Sequence, residues 1–354
     1  MNAANALKLI NVLLLAMVAS GATAADQFAV GPVSAGRGHM VSGMLPVPEG
    51  SDAATEIPVT VVHGATDGPV LALIAGTHGY EYPPIIALQR IRQTIDPAAL
   101  RGTLVLVHIA NPPSFFGRTI YYSPVDGKNL NRVYPGDPGG TQTQRIAHVI
   151  TAQVIEQADY VVDLHAGDGN EALMPFIYMP RTGDEALDRA SRELALAFGL
   201  DYVVIDAAPL RDPDDSLYTD QTALTRGIPS ITTETGKLGS SDDSWVDMAE
   251  AGIRNLVVSL GMMPGSAAEP GGVVWLTDYT VVEAPATGLF RAEVHEGYAV
   301  AAGGRLGTIV DVFGDELAVV RAPYAGIVNY VIGTPPISSG EPVAMISRIA
   351  AMAP

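Results

Sequence analysis

An apolar run, Val70-Leu71-Ala72-Leu73-Ile74-Ala75, leads directly into Gly76-Thr77-His78-Gly79-Tyr80-Glu81-Tyr82-Pro83-Pro84. A continuous apolar stretch bounded by glycine reads as a strand buried on both faces, which confines the chain to a parallel or mixed sheet covered by helices. Gly76 and Gly79 allow a sharp turn off the strand end, and Pro83 and Pro84 suit the first turn of a helix, where no amide donor is needed. His78 and Glu81 are three residues apart, so one short turn brings an imidazole and a carboxylate to one point. Nitrogen and oxygen donors of this kind suit zinc, with bonds of roughly 2.0–2.2 Å. Taken alone, a His-x-x-Glu pair is more often a polar strand-end loop with a surface glutamate than a metal site.

The same alternation continues along the chain. Strands are expected at 70–75, 104–109, 160–164, 174–179, 202–205 and 229–233, and helices at 84–95, 142–157, 184–198, 217–226 and 244–261. Strands alternating with helical patterns predict an α/β fold with a mixed sheet and helices on both faces. Before it, residues 28–62 read as short antiparallel strands at the sheet edge, and His39 and His63 as strand or surface histidines. In such sheets, sites gather at the carboxyl ends of strands.

Several residues fall at those ends. Strand 160–164 runs into His165, well placed as a third ligand, with Asp163 on the same side two residues earlier. Asp163 reads either as support for that histidine or as a cap of a local turn. Strand 229–233 ends in Glu234-Thr235-Gly236, and a glutamate emerging there suits a general base. Between the two ligand-bearing strands lies a long loop containing Asn111 to Arg118 and Asp126 to Gly136. Long loops inside compact domains are usually functional. Arg132 can grip a carboxylate with two parallel hydrogen bonds, and Asn131 adds a neutral donor. His108 and His148 read as strand and helix-face histidines.

Composition narrows the classes. The formal net charge is −18, with lysine only at positions 8, 128 and 237. That balance excludes a nucleic-acid binder, which leans on many Lys and Arg contacts to phosphate, and an anionic-lipid binder. Without cysteine, any metal must be held by histidine and carboxylate. Lys8, the apolar Leu9 to Val18 and Ala22-Thr23-Ala24 resemble a leader with its cleavage site, too short for a bilayer span. Residues 1–24 are therefore expected to be a signal peptide, the protein to be exported to a bacterial periplasm, and no membrane span to remain after cleavage.

His78-x-x-Glu81, Asn129-Leu130-Asn131-Arg132, Asp163-Leu164-His165 and Glu234-Thr235-Gly236 together resemble the succinylglutamate desuccinylase/aspartoacylase family of zinc hydrolases, itself similar to zinc carboxypeptidases. The resemblance covers roughly residues 60–350. It implies one Zn2+ per chain held by His78, Glu81 and His165, with Glu234 as the glutamate that activates the attacking water. It also implies that Asn131 and Arg132 grip a substrate carboxylate and that Arg118 polarises the scissile carbonyl. The family usually carries aspartate where this chain has Asn129, so the histidine it supports is held without a full charge, and zinc a little less firmly.

From about residue 266 the chain becomes short apolar runs separated by Gly and Pro, a small all-β barrel-like domain. It resembles the biotinyl/lipoyl-like module of this family, but no lysine follows Lys237, so a carrier role is excluded. The expected division is thus residues 1–24, a catalytic domain at 25–265 and a β domain at 266–354, with Met263 to Gly272 as linker. His295 reads as a surface residue of that module. The acidic loop Asp206 to Asp220 is expected to border the pocket, with Arg211 paired to its neighbouring aspartates. The function expected is zinc-dependent deacylation of an N-acylated amino acid or related carboxylate-bearing small molecule. A metallocarboxypeptidase acting on peptides and a non-catalytic envelope zinc- or ligand-binding protein remain open alternatives.

Overall fold

The computed structural model describes residues 26–267 and 271–351. The expected leader and part of the expected linker lie outside these residues. At the centre of a large mixed sheet, the strand Thr66–Ala75 pairs in parallel with Arg101–Val107 on one side and Tyr160–His165 on the other. Ser230–Glu234 follows in parallel with Tyr160–His165, and Phe176–Pro180 runs antiparallel beside it. Tyr202–Asp206 and Val274–Glu283 then extend the sheet in parallel. The opposite edge is the antiparallel pair His39–Val47 and Thr55–His63.

The central strand is buried on both faces, as its apolar run requires. Leu71, Leu73 and Ala75 face a core shared with the helices Tyr82–Thr94, Glu185–Phe198 and Asp243–Ser259. Ala72 and Ile74 face a second core, built with Gln142–Gln153 and the N-terminal strands. Period-two alternation therefore distributes one strand between two layers of cover. The same alternation puts Asp163 and His165 on one side of their strand. Among the described residues, no helix is long and apolar enough to cross a membrane.

The C-terminal strands continue this sheet. Val274–Glu283 uses Val274 to Leu276 to pair with Tyr202–Asp206 and its later residues to pair with Pro342–Ile349. Gly326–Ile332 joins next and also pairs with the short strand Glu171–Leu173, which lies six residues after His165. A separate four-stranded sheet contains Gly288–Ala292, Arg305–Val310, Glu316–Arg321 and Pro336–Ile337. Phe176, Val204 and Leu276 of the main sheet share a buried cluster with Val328, Tyr330 and Ile346.

The turn after the central strand depends on tight backbone contacts. Gly76 stands at φ 72°, and a Cβ there would lie 2.9 Å from the Ile109 Cα. Gly76→Ala is expected to cost about 1–3 kcal/mol through left-handed strain and this backbone approach. A thermal melt should register the loss; an unchanged melting temperature would show that the turn relaxes without cost.

Candidate functional site

Glu81 occupies the N-cap position of the helix Tyr82–Thr94 but makes no side-chain cap hydrogen bond. An N-cap side chain normally accepts from the second or third helical amide, and here those residues are Pro83 and Pro84, which have no N–H. The Glu81 carboxylate turns instead to two imidazoles. Its Oε1 lies 2.7 Å from His78 Nδ1, and its Oε1 and Oε2 lie 3.1 and 3.0 Å from His165 Nδ1.

The far nitrogens of both rings are also held. His78 Nε2 donates to Asn129 Oδ1 at 3.1 Å, and His165 Nε2 to Asp163 Oδ2 at 2.9 Å. These partners fix each ring so that Nδ1 faces the common point. Tyr121 adds an edge-on ring contact to His78, with centroids 5.7 Å apart. One ligand atom from each of His78, Glu81 and His165 lies within 4.8 Å of the others, and all three residues are buried. Two nitrogens and one carboxylate match a three-ligand zinc site with room for a further ligand.

The charges agree with that fit. Burial pushes the Glu81 carboxyl up, but His165 and His78 outweigh it and hold it at about 2. Burial pushes both histidines down, yet the carboxylates win: Glu81 raises His78, and Asp163 with Glu81 raises His165 well above the ordinary range. The protein alone therefore gathers positive charge at the place where a cation would bind.

Glu234 lies opposite His165 in the strand register. Its Oε2 is buried with no hydrogen-bond partner among the described residues. Burial raises this carboxyl well above the usual range despite the opposing pull of His165, and Glu81 and Glu171 add to the rise. Asn131 also lies beside the cluster, but its amide is committed. Its Oδ1 accepts from the Thr219 backbone N–H at 2.8 Å, and its amide N–H reaches Asp163 Oδ2 at 3.4 Å. Arg132 is exposed, donates to the Asn131 carbonyl at 2.6 Å and stands 4.7 Å over the Tyr218 ring. Arg118 is exposed at the C-cap of the short helix Pro112–Gly117, with φ 51°. Its side chain has no hydrogen bond or ion pair among the described residues, and its charge is felt at Tyr82. The structure thus brings His78, Glu81, His165, Glu234 and Asn131 together, and leaves both arginines at the rim. In the acidic loop, Arg211 bonds Asp215, as expected.

Further groups at the site escape the sequence reading. Asp168 accepts from the Tyr121 and Gly169 amides, and Glu171 accepts from the Tyr121 hydroxyl and the Asp168 amide. Burial pushes their carboxyls to about 6 and about 7. The acidic, glycine-rich turn Asp168-Gly169-Asn170-Glu171 so soon after His165 was the available signal. Tyr330 gives none: it comes from the C-terminal strands, opposite Leu173, and feels the charges of Glu171, Arg132 and Glu234.

Comparison with known proteins places this geometry. Residues 67–260 match the succinylglutamate desuccinylase/aspartoacylase catalytic domain. The chain is 30% identical to the N-alpha-acetyl-L-2,4-diaminobutyric acid deacetylase of Halomonas elongata, covering 87% of this chain and 91% of that protein. Its fold is similar to a product-bound structure of the ectoine utilization protein EutE (DoeB) from Ruegeria pomeroyi, with a TM-score of 0.79, 29% identity and coverage of 87% and 95% of the two chains. A succinylglutamate desuccinylase/aspartoacylase from Rhodobacter sphaeroides gives a TM-score of 0.78 at 27% identity, covering 88% and 96%. The expectation of an exported, periplasmic enzyme is corrected here. The Halomonas relative is by name an N-alpha-acetyl-L-2,4-diaminobutyric acid deacetylase, a name that carries no export, and the apolar run that suggested a leader lies outside both the matched domain and the described residues. The converging histidines and glutamate, the sheet that presents them and these matches together make the chain a member of the succinylglutamate desuccinylase/aspartoacylase family.

Proposed function

We propose that the protein is a zinc-dependent amidohydrolase that removes the acyl group from an N-acylated amino acid. One observation carries the reading: three buried donors, His78, Glu81 and His165, meet beside a carboxylate oxygen of Glu234 that has no partner. When bound, zinc supplies a Lewis acid that polarises a carbonyl and brings the pKa of water near 7. The deacetylase named for the Halomonas relative supports amide cleavage of this kind.

The chain's own residues take these roles. Glu234 Oε2 receives a proton from the attacking water and delivers it to the departing amine nitrogen. Arg132, with no ion pair among the described residues, receives the substrate carboxylate. Asn131 sets the place of Arg132 through its own carbonyl, and its side chain anchors Thr219 and Asp163. Arg118 belongs to the loop that crosses Gly79, where a Cβ would lie 2.3 Å from the Thr119 carbonyl oxygen. We assign its guanidinium the stabilisation of the developing charge on a bound carbonyl. The C-terminal strands, which we treat as a unit of their own from about residue 266, wall one side of the site through Tyr330. The deacetylase named for the Halomonas relative supports a small substrate over a peptide.

Glu234→Gln should keep the fold and the metal and lose about 10²–10⁴ in turnover. Near-normal hydrolysis by the zinc-loaded variant would remove Glu234 from the mechanism. Asp163→Asn deprives His165 of its charged support, so chelator competition should report zinc binding weaker by about 10–100-fold; unchanged affinity would make Asp163 a fold residue only. Arg132→Lys keeps the charge but loses the planar fork, and should raise KM for carboxylate substrates while melting near wild type. A large drop in melting temperature would assign Arg132 to loop structure instead.

A further inference from the structure

The two histidines of the metal site are not held alike. His165 Nε2 meets the wholly buried carboxylate of Asp163 at 2.9 Å. His78 Nε2 meets a neutral amide oxygen, Asn129 Oδ1, at 3.1 Å, and that oxygen also accepts from the Asn131 backbone N–H at 2.8 Å. A shared, uncharged acceptor holds an imidazole less firmly than a carboxylate does. A further contact to the His78 ring comes from Tyr121, which stands edge-on to it with centroids 5.7 Å apart and planes at 88°.

Tyr121 is fixed more tightly than packing alone requires. Its backbone lies in the left-handed region, φ 58°, a conformation that is costly for any residue but glycine and persists where neighbours impose it. Its N–H donates to Asp168 Oδ2 at 2.9 Å, and its hydroxyl lies 2.9 Å from both Asn170 Oδ1 and Glu171 Oε1. All three partners belong to the turn that follows His165. The next residue, Tyr122, pairs with Asn129 in a short antiparallel bridge, so the ring contact and the amide contact to His78 come from adjacent arms of one loop. The tyrosine therefore ties the turn after one metal histidine to the ring of the other.

We propose that Tyr121 is a positioning residue of the metal site, its ring keeping His78 in the orientation that turns Nδ1 toward Glu81 and supplying the rigidity that Asn129 alone does not. The proposal rests on the metal-dependent deacylase reading and deepens it. An edge-on ring restricts rotation of the imidazole, because a large turn would break the contact or drive the two rings together. Anchors at the backbone and at the hydroxyl make that wall rigid. Ligands already held in place lose less freedom when a metal binds. The two supports of His78 are then partly interchangeable: a charged acceptor at position 129 would make the ring contact less necessary.

Zinc affinity of the metal-free full chain, measured by chelator competition, tests this without turnover. Tyr121→Leu removes the ring while leaving the left-handed backbone equally strained, and should weaken zinc binding by about 10-fold. Tyr121→Phe keeps the ring but loses its hydroxyl anchors, and should lose less. Asn129→Asp, whose carboxylate still accepts from the Asn131 N–H, gives His78 a charged partner. It should restore most of the affinity in the Tyr121→Leu background while raising it less in wild type. The visible absorption of the cobalt-loaded protein, which reports coordination geometry, should shift in Tyr121→Leu and return toward wild type in the double variant. Wild-type zinc affinity in Tyr121→Leu would overturn the proposal. So would a loss that Asn129→Asp does not recover, because a tyrosine needed only to fold the loop is not replaced by a charge on His78. Should Tyr121→Leu not fold, the same comparison is made in Tyr121→Phe, where unchanged affinity overturns the proposal. A wild-type chain that binds no zinc would overturn the deacylase reading along with this proposal, whereas zinc binding indifferent to Tyr121 would sink the proposal alone.

Discussion

Prolines 83 and 84 leave the helix that starts at Tyr82 without the amide donors that an N-cap carboxylate ordinarily receives, and the site depends on that omission. A glutamate at a helix N-terminus is stabilised by the helix dipole wherever its oxygens point. With no local donor to hold them, the Glu81 oxygens turn to His78 and His165. The histidines arrive by separate routes, one on the turn after the central strand and one at the end of its neighbour. Parallel pairing of those strands, with Ala75 opposite Leu164, brings the two routes to the same edge.

Precision at that edge comes from backbone packed against backbone and ring. A Cβ on Gly79 would collide with the Ser114 and Thr119 carbonyls, so the loop carrying Arg118 crosses directly over the turn that carries His78. Tyr80 packs on Gly169 and Gly239, tying the His165 and Glu234 loops to the same turn. Glycine at these contacts lets three loops approach closely enough for their side chains to share one point. Tyr121 completes the frame from a left-handed conformation, φ 58°, held by Asp168 through its amide and by Glu171 through its hydroxyl. Strain of this kind persists where the surroundings over-determine it, and it gathers at functional sites.

Much of this was legible in the sequence because a doubly covered sheet writes itself as continuous apolar runs. The strands at 160–164 and 229–233 appear within a residue of their expected bounds, and with them His165 and Glu234 at the strand ends. The helix expected at 142–157 is divided, ending at Gln153 before a 3-10 turn at Ile155–Gln157, a difference that periodicity does not resolve. What stayed hidden depends on partners distant in sequence. Tyr330 reaches the site only because its strand pairs with Glu171–Leu173, a pairing that no local pattern encodes. The change of composition near residue 266 marks the end of the covering helices, whereas the sheet runs on through Val274–Glu283, a strand long enough to serve a partner at each end. Asn131 reads from sequence as a donor for substrate; in the fold its amide N–H reaches Asp163 and its Oδ1 accepts from Thr219, neighbours that only the folded chain brings near.

The electrostatics explain why so acidic a chain can bury these carboxylates. Glu81 is ionised at about 2 because two imidazoles compensate it, whereas Asp168, Glu171 and Asp220 lie at about 6 to 7, where burial is less fully opposed. Both compensating histidines are raised by the carboxylates they face. Metal ligation requires those rings to be neutral, so binding must release protons. The compensation that lets the fold bury Glu81 and Asp163 is therefore the same one that prepares them to receive a cation.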